Sequence, residues 1–434
     1  MSERRFRFIH AADLHLEQPL HGVDFVPEHL RDLFLDAPFH AAQAVFDHAV
    51  EEHVDFVVLS GDVLDPRAGG PRAVSFLFNQ LTRLQQKKID VYWCGGTIDN
   101  FSSWPTSIAL PPNVHIFPTD RVAAHLVRRG DTALATVQGC SYHRERIVRG
   151  TDFAGEAAGF CIAVAHGQAT AADLQQPHVD YWTLGGRHNV TTLFHSHHVA
   201  QFAGSPQGRR PSETGPHGCI LVEVENDAIA NRQLLPTDRI RWHQEKFELP
   251  DEMDSAGLQR KLRERTEQLL DANRGQWMLV QWTLLDGDQT TDTRSDQLAA
   301  NLRQGGLADD LLAGLRSEFG TRDCGAWTVS LQAETPVVFP AGWYEEDTVL
   351  GDLLRSVKQH QDKSDLELLL EGPDEGYELS AELSAALQIN DNQERAVILR
   401  NVAALGVDLL RGDRVLSEEM ASMTKWMSQD DDSI

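Results

Sequence analysis

The feature that most constrains this chain is an alternation: from residue 6 to about 247, short β-rich apolar runs take turns with stretches of helical spacing. That pattern specifies a layered α/β domain, in which helices cover a largely buried sheet. Residues 6–12 read as a first strand. From 27 to about 53 the apolar residues Leu30, Leu33, Phe34, Ala41, Ala44, Val45 and Ala49 recur at helical spacing, and 55–60 is a compact apolar strand ended by Gly61. The spacing predicts a further helix over 73–87 and strands at 91–94, 160–165 and 181–184. Strand, helix, strand sets residues 13–15 and 61–65 on neighbouring strand ends, where open sheets gather function.

After Gly204 the texture changes to hairpins, over 219–225 and 228–235 about an Asn226-Asp227 turn, with 240–249 closing the domain. Residues 250–254 are a polar break. Beyond it, a helix over 255–273, a strand at 277–285, helices within 295–319 and a strand at 326–332 suggest a small α/β domain. Past Gly351 the chain is helical and acidic, over 353–361, 379–387 and 392–410. The expected division is 1–249, 250–345 and 346–434, within the two to four domains that 434 residues suggest at roughly 100–200 each.

Composition narrows the classes. With 41% hydrophobic and 24% charged residues, disorder is not the default, and no stretch approaches the roughly 20 apolar residues of a membrane span. No secretory signal is read at the start. Cys94, Cys140, Cys161, Cys219 and Cys324 show no CxxC spacing, which fits reduced thiols and a cytoplasmic location. The net charge of -26 argues against a protein that coats nucleic acid. It is unevenly placed: residues 1–241 hold 21 Lys+Arg and 27 Asp+Glu, net -6, while 242–434 hold 18 and 38, net -20.

Five segments at predicted strand ends carry chemistry: Asp13-Leu14-His15, Gly61 to Asp65, Gly95 to Asn100, His166-Gly167 and Gly185 to His188. The i, i+2 spacing of Asp13 and His15 lets a carboxylate and an imidazole converge on one cation. Gly61 permits a tight turn, and Asp62 can bridge two cations. Mixed Asp and His donors suit Mn, Fe or Zn, and paired ions suit phosphodiester hydrolysis. Basic clusters at Arg4-Arg5-Arg7, Lys87-Lys88, Arg128-Arg129, Arg144-Arg146-Arg149 and Arg209-Arg210 read mostly as solvated faces. No GxxxxGK[ST] segment is present, so an ATP-driven step belongs to a partner.

In order and context these segments resemble the calcineurin-like metallophosphoesterases, and within them the SbcD/YhaO-type DNA-repair exonucleases. The resemblance covers about residues 6–225, and 202–209, Glu213-Thr214-Gly215 and Gly218-Cys219 look like the signature of the YhaO type. It implies a four-layer α/β/β/α sandwich with a small capping domain and a helical C-terminal region. It assigns Asp13, His15 and His188 to one metal, Asp62 to the bridge and His166 to a second metal. Where the family has Gly-Asn-His-Asp, this chain has Gly96, Thr97, Ile98 and Asp99. Where it has Gly-His-x-His, this chain has Gly185, Gly186, Arg187 and His188. Thr97 and Gly186 thus stand at degenerate metal positions, and Ile98 replaces the catalytic His. The resemblance, so altered, implies one ion (Mn2+, or Fe, Zn or Mg) rather than two, and reduced or absent hydrolysis. Asp99, Asn100, His195 and His197 are candidate substitute ligands. The implied partners are an SMC-like coiled-coil ATPase of the SbcC/YhaN type, docked on the helices between 353 and 410, DNA, and a second copy of the chain.

Overall fold

A computed structural model describes residues 4–23, 25–99, 104, 109–142, 147–155, 159–176, 178–195, 198–250, 252–285, 298–299, 301–302, 306–333, 339, 341–362, 398–399, 402–404, 406–407 and 410. The chain begins β1 (Arg5–Ala11), α1 (Glu28–Glu51), β2 (Phe56–Leu59), α2 (Pro66–Gln86), β3 (Asp90–Trp93) and β4 (Val114–Ile116). The hairpin β5 (Ala123–Arg129) and β6 (Thr132–Gly139) follows, then β7 (Phe160–His166), β8 (Tyr181–Gly185), β9 (Thr191–His195) and β10 (Val199–Phe202). A second hairpin is β11 (Gly218–Glu225) and β12 (Ala228–Pro236), turning at Asn226 and Asp227, both at positive φ. Two six-stranded sheets result, in the orders β12-β11-β1-β2-β3-β4 and β5-β6-β7-β8-β10-β9.

Strand periodicity explains the layering. In β1, Phe6 and Phe8 point one way and Ile9 and Ala11 the other, and both faces are buried. Phe6 and Phe8 join Phe56, Val58 and Tyr92 in a core with Phe160, Ile162, Val164 and Tyr181 of the second sheet. Ile9, Val57, Leu59, Val91 and Trp93 meet the helices instead, against Ala42, Val45, Phe46, Leu77 and Leu81. Burying each such Phe or Leu contributes about 1.5–3 kcal/mol, and β2, buried on both faces, reads as a continuous apolar run. On the outer face of the second sheet, Phe153 of the 3-10 turn Gly150–Phe153 packs edge-on to Trp182, with Leu174 and Val179 beside them. Among the described residues, that outer layer is built of short turns.

The helix expected over 73–87 starts earlier, at Pro66. Asp65 caps it by accepting the Arg67 N–H (2.9 Å), and Gly70, at φ 64° and ψ -172°, kinks it before Pro71. The strand expected to close the first domain, here β13 (Ile240–Glu248), does not extend the preceding hairpin. It forms a three-stranded sheet with β14 (Trp277–Leu285) and β15 (Ala326–Ala333), which α3 (Ser255–Ala272) and α4 (Gly306–Phe319) accompany in the chain.

The chain divides into two compact units, Met1–Glu245 with Arg260–Trp282 and Leu312–Leu331, and Lys246–Gln259 with Thr283–Leu311 and Gln332–Ile434. In the second, after α5 (Ala341–Glu345), α6 (Val349–Asp362) packs Leu350, Leu354 and Val357, at helical spacing, against Phe339, Leu399 and Ala403. The helix expected over 379–387 lies outside the described residues, and that over 392–410 is described only in part. Among the described residues no helix is long and apolar enough to cross a membrane.

Candidate metal centre

The loops after β1 and β2 run on side by side: Asp13 N–H donates to Gly61 O (2.9 Å), His15 N–H to Asp62 O (3.0 Å) and Leu16 N–H to Val63 O (3.2 Å). To keep these bonds while turning side chains into one cleft, Asp13, His15 and Asp62 take left-handed φ of 56°, 44° and 52°. Backbone strain of this kind gathers at functional sites. Gly61, at φ 89°, is required for a further reason: a Cβ there would lie 2.5 Å from His166 Nδ1.

Two overlapping groups of donors result. Asp13, His15 and His188 bring ligand atoms within 4.8 Å of one another, and so do Asp13, Asp62 and His166. Each imidazole is held at Nδ1: His15 by Glu17 Oε1 (3.0 Å), His188 by Glu213 Oε1 (2.6 Å) and His166 by Ser60 O (2.9 Å). A hydrogen on Nδ1 leaves Nε2 with its lone pair for a cation. His15 Nε2 is buried with no hydrogen-bond partner, 3.7 Å from Asp62 Oδ2. An orphaned imidazole nitrogen among carboxylates fits a divalent cation of the Mn, Fe or Zn kind, so the first donor set passes this test.

The other half is built differently. The Thr97 hydroxyl lies 2.7 and 2.9 Å from the two Asp62 oxygens, and Ile98 N–H donates to Oδ1 (3.0 Å). Gly186 offers only its N–H, 3.0 Å from both Asp13 oxygens. Burial pushes Asp62 up, but the hydrogen bond and charge of His166, helped by His15 and Thr97, outweigh it and hold the carboxyl well below the usual range. Burial likewise lowers His166, yet Asp62 and Asp13 lift it to about 9. Asp13 is raised by burial and by the charge of Asp62.

Asp99, expected as a substitute ligand, is not brought to the donor set. Its buried carboxylate accepts N–H bonds from Asp62 (3.1 Å), Val63 (3.2 Å), Gly96 and the Trp93 indole (2.8 Å), which ties the third loop to the second. Burial and the charge of Asp62 push it up to about 6. Asn100 and His197 lie outside the described residues; His195 ends β9, with its side chain also outside them. Arg187 stacks on Phe202 (4.6 Å) and donates to Ala169 O (3.2 Å), away from the donors.

A cleft of about 370 Å³ opens over the centre, walled by Asp62, Thr97, Tyr142, Ile147, His166 and His188 among others. Sequence reasoning missed the parts behind the ligands. Glu17, two residues past His15, was signalled only by its spacing, and Glu213 stood in the signature without a role. The pair Arg209-Arg210, expected on a solvated face, splits: Arg210 is exposed, but Arg209 is 1% exposed, its Nη2 3.4 Å from both His188 ring nitrogens.

Residues 6–198 match the family described as calcineurin-like phosphoesterase. Over 414 residues, 90% of this chain and 96% of the relative, the sequence is 27% identical to an uncharacterized metallophosphoesterase, YhaO, of Bacillus subtilis (strain 168). Among solved structures, similarity is found to a dimetal phosphatase from Danio rerio (12% identity, 54% of this chain and 99% of that one, TM-score 0.29). It is also found to Vps29 complexed with zinc from Entamoeba histolytica (11% identity, 54% and 98%, TM-score 0.26).

Proposed function

We propose that this chain, whose residues 6–198 match the calcineurin-like phosphoesterase family and which is 27% identical over most of its length to YhaO, is a DNA-repair-type phosphodiesterase or exonuclease subunit that holds one divalent cation and hydrolyses weakly or not at all. The observation that carries this reading is the Thr97 hydroxyl on both Asp62 oxygens, with Ile98 beside it where the family places its catalytic His. A divalent cation in such a site polarises a phosphoryl oxygen and acidifies water. Asp13, His15 and His188 would hold it, with Asp62 at the bridging side. Thr97 and Ile98 N–H bond Asp62 from their own loop, while its Oδ2 lies 3.3 Å from His166 Nε2. Ile98 has no side-chain proton to give a leaving group and no hydrogen bond to offer a phosphate. Losing a positioned acid-base group typically costs about 10² to 10⁴ in rate. We further propose that a cytoplasmic SMC-like coiled-coil ATPase supplies the ATP-driven step that this chain has no motif for.

A second reading, an active Mn-dependent phosphodiesterase, is favoured by the convergence of Asp13, Asp62 and His166, which needs neither lost ligand. Metal content after Mn loading, with hydrolysis of a generic phosphodiester and of linear DNA, separates the two against a His15→Ala control. One Mn per chain, with turnover equal to the control, is expected. Two Mn per chain with turnover that the control abolishes would overturn the degenerate reading in favour of the active one.

A further inference from the structure

We propose that Glu17 and Glu213 are positioning carboxylates of the Asp13, His15 and His188 site, each orienting one ligand imidazole and lending it negative charge, so that the segment 202–218 completes a metal site. This rests on the reading that those three residues hold a divalent cation.

The two carboxylates are placed alike. Glu17 Oε1 takes His15 Nδ1 (3.0 Å) while its Oε2 accepts the Asp65 N–H (3.2 Å). Glu213 Oε1 takes His188 Nδ1 (2.6 Å) while its Oε2 accepts the Arg209 N–H (2.7 Å). Both side chains are 4% exposed, so neither can swing into water without unmaking its loop. A carboxylate behind an imidazole fixes the ring's tautomer and direction and raises the basicity of the ligating nitrogen. His166, by contrast, is backed by the neutral carbonyl of Ser60. Two charged supports thus serve one half of the centre and none the other, which makes the first half the tighter binder.

A buried carboxylate is tolerable only with compensation, and Arg209 provides it together with Arg210, whose Nε lies 3.8 Å from Glu213 Oε1. Its backbone bonds Glu213, and its 1%-exposed guanidinium lies along the His188 ring, with Nη1 unpartnered. The segment is stiffened from outside the site: Gln207 donates to Ile240 O (2.6 Å) and accepts the Arg239 N–H (2.8 Å). Glu213 and Arg209 both lie past residue 198, where the family match ends. The support of His188 is therefore supplied from beyond the matched region.

Titration of the metal-stripped full chain with Mn2+ by calorimetry, paired with metal-free thermal denaturation, tests this. Glu213→Ala and Glu17→Ala should each weaken the first Mn2+ event by about 10- to 100-fold. Glu213→Gln, which keeps shape and acceptor but not charge, should fall between wild type and Glu213→Ala, and it carries the test alone if the Ala variant does not fold. Asn113→Ala, which removes a buried amide bonded to Ile89 O (2.9 Å) outside this segment, should lower the melting temperature while leaving Mn2+ affinity near wild type. Wild-type affinity in either Glu213 variant overturns the proposal, as does an equal loss of affinity in Asn113→Ala. A wild-type chain that takes up no Mn2+ overturns the metal-site reading as well.

Discussion

Asp13, His15 and Asp62 sit in backbone that costs a residue with a Cβ about 1–3 kcal/mol, and each repays this by presenting a side chain to the cleft. Gly186 is the converse: at φ 104° it gives only its N–H to Asp13, and a Cβ there would stand 3.3 Å from His166 Nε2 and from Gly167 N. Gly186→Ala should therefore cost roughly 1–3 kcal/mol in urea denaturation. A variant as stable as wild type would refute the backbone account. It follows that Gly186→His would impose strain together with a new side chain. The five candidate ligands all stand at or just past strand ends, the position at which a sequence reading looks for them. Charge type alone could not separate Arg209 from Arg210, since only the return of 202–218 over His188 buries one of them. Asp99 looked like a ligand for the same reason: sequence shows a carboxylate, not which N–H groups already occupy it.

At the scale of elements, β1, β2, β3, β7 and β8 were legible as strands buried on both faces, and β11 and its edge partner β12 through the Asn226-Asp227 turn between them. β4, β5, β6, β9 and β10 were not: the edge strand β5 carries exposed Arg128 and Arg129, which leave no apolar run to read, and the buried β6 sets Thr136 and Gln138 among its apolar residues. β13 was legible as a strand, but its partner β14, with β15 on the far side, comes from later in the chain. The two large sheets are also joined by a polar contact. His10 of β1 sets Nε2 3.3 Å from Leu184 O and Nδ1 3.3 Å from the Tyr181 hydroxyl, both on β8. Complete burial, only partly offset by the Leu184 bond, lowers His10 from 6.5 to about 3. The ring therefore stays neutral when folded, while the unfolded chain takes up a proton below about 6.5. Its contribution is fully present above that pH and declines as pH falls toward 3, by roughly 2 kcal/mol between pH 6.5 and pH 5. In thermal denaturation, His10→Gln should lose less stability than wild type between pH 7.5 and pH 5. Equal losses would remove His10 from the account.

For the whole molecule, the charge of -26 no longer bears evenly on function, because the region carrying the candidate ligands holds -6 and residues 242–434 hold -20. An acidic C-terminal region suits a basic protein surface better than DNA, and steering of that kind is screened by salt. Copurification of the proposed ATPase with this chain should accordingly weaken as ionic strength rises, and salt-independent association would count against an electrostatic dock. The donors themselves come from both large sheets: Asp13 and Asp62 follow β1 and β2, whereas His166, Gly186 and His188 lie at the ends of β7 and β8. Asp13 and Gly186, in contact here, are 173 positions apart in the chain. An ion shared by these loops would rivet one sheet to the other at their open rim, closing a very long loop of chain. Ambient metal then becomes a thermodynamic variable of folding, and a chelator would loosen the sandwich at its mouth before any core side chain had moved.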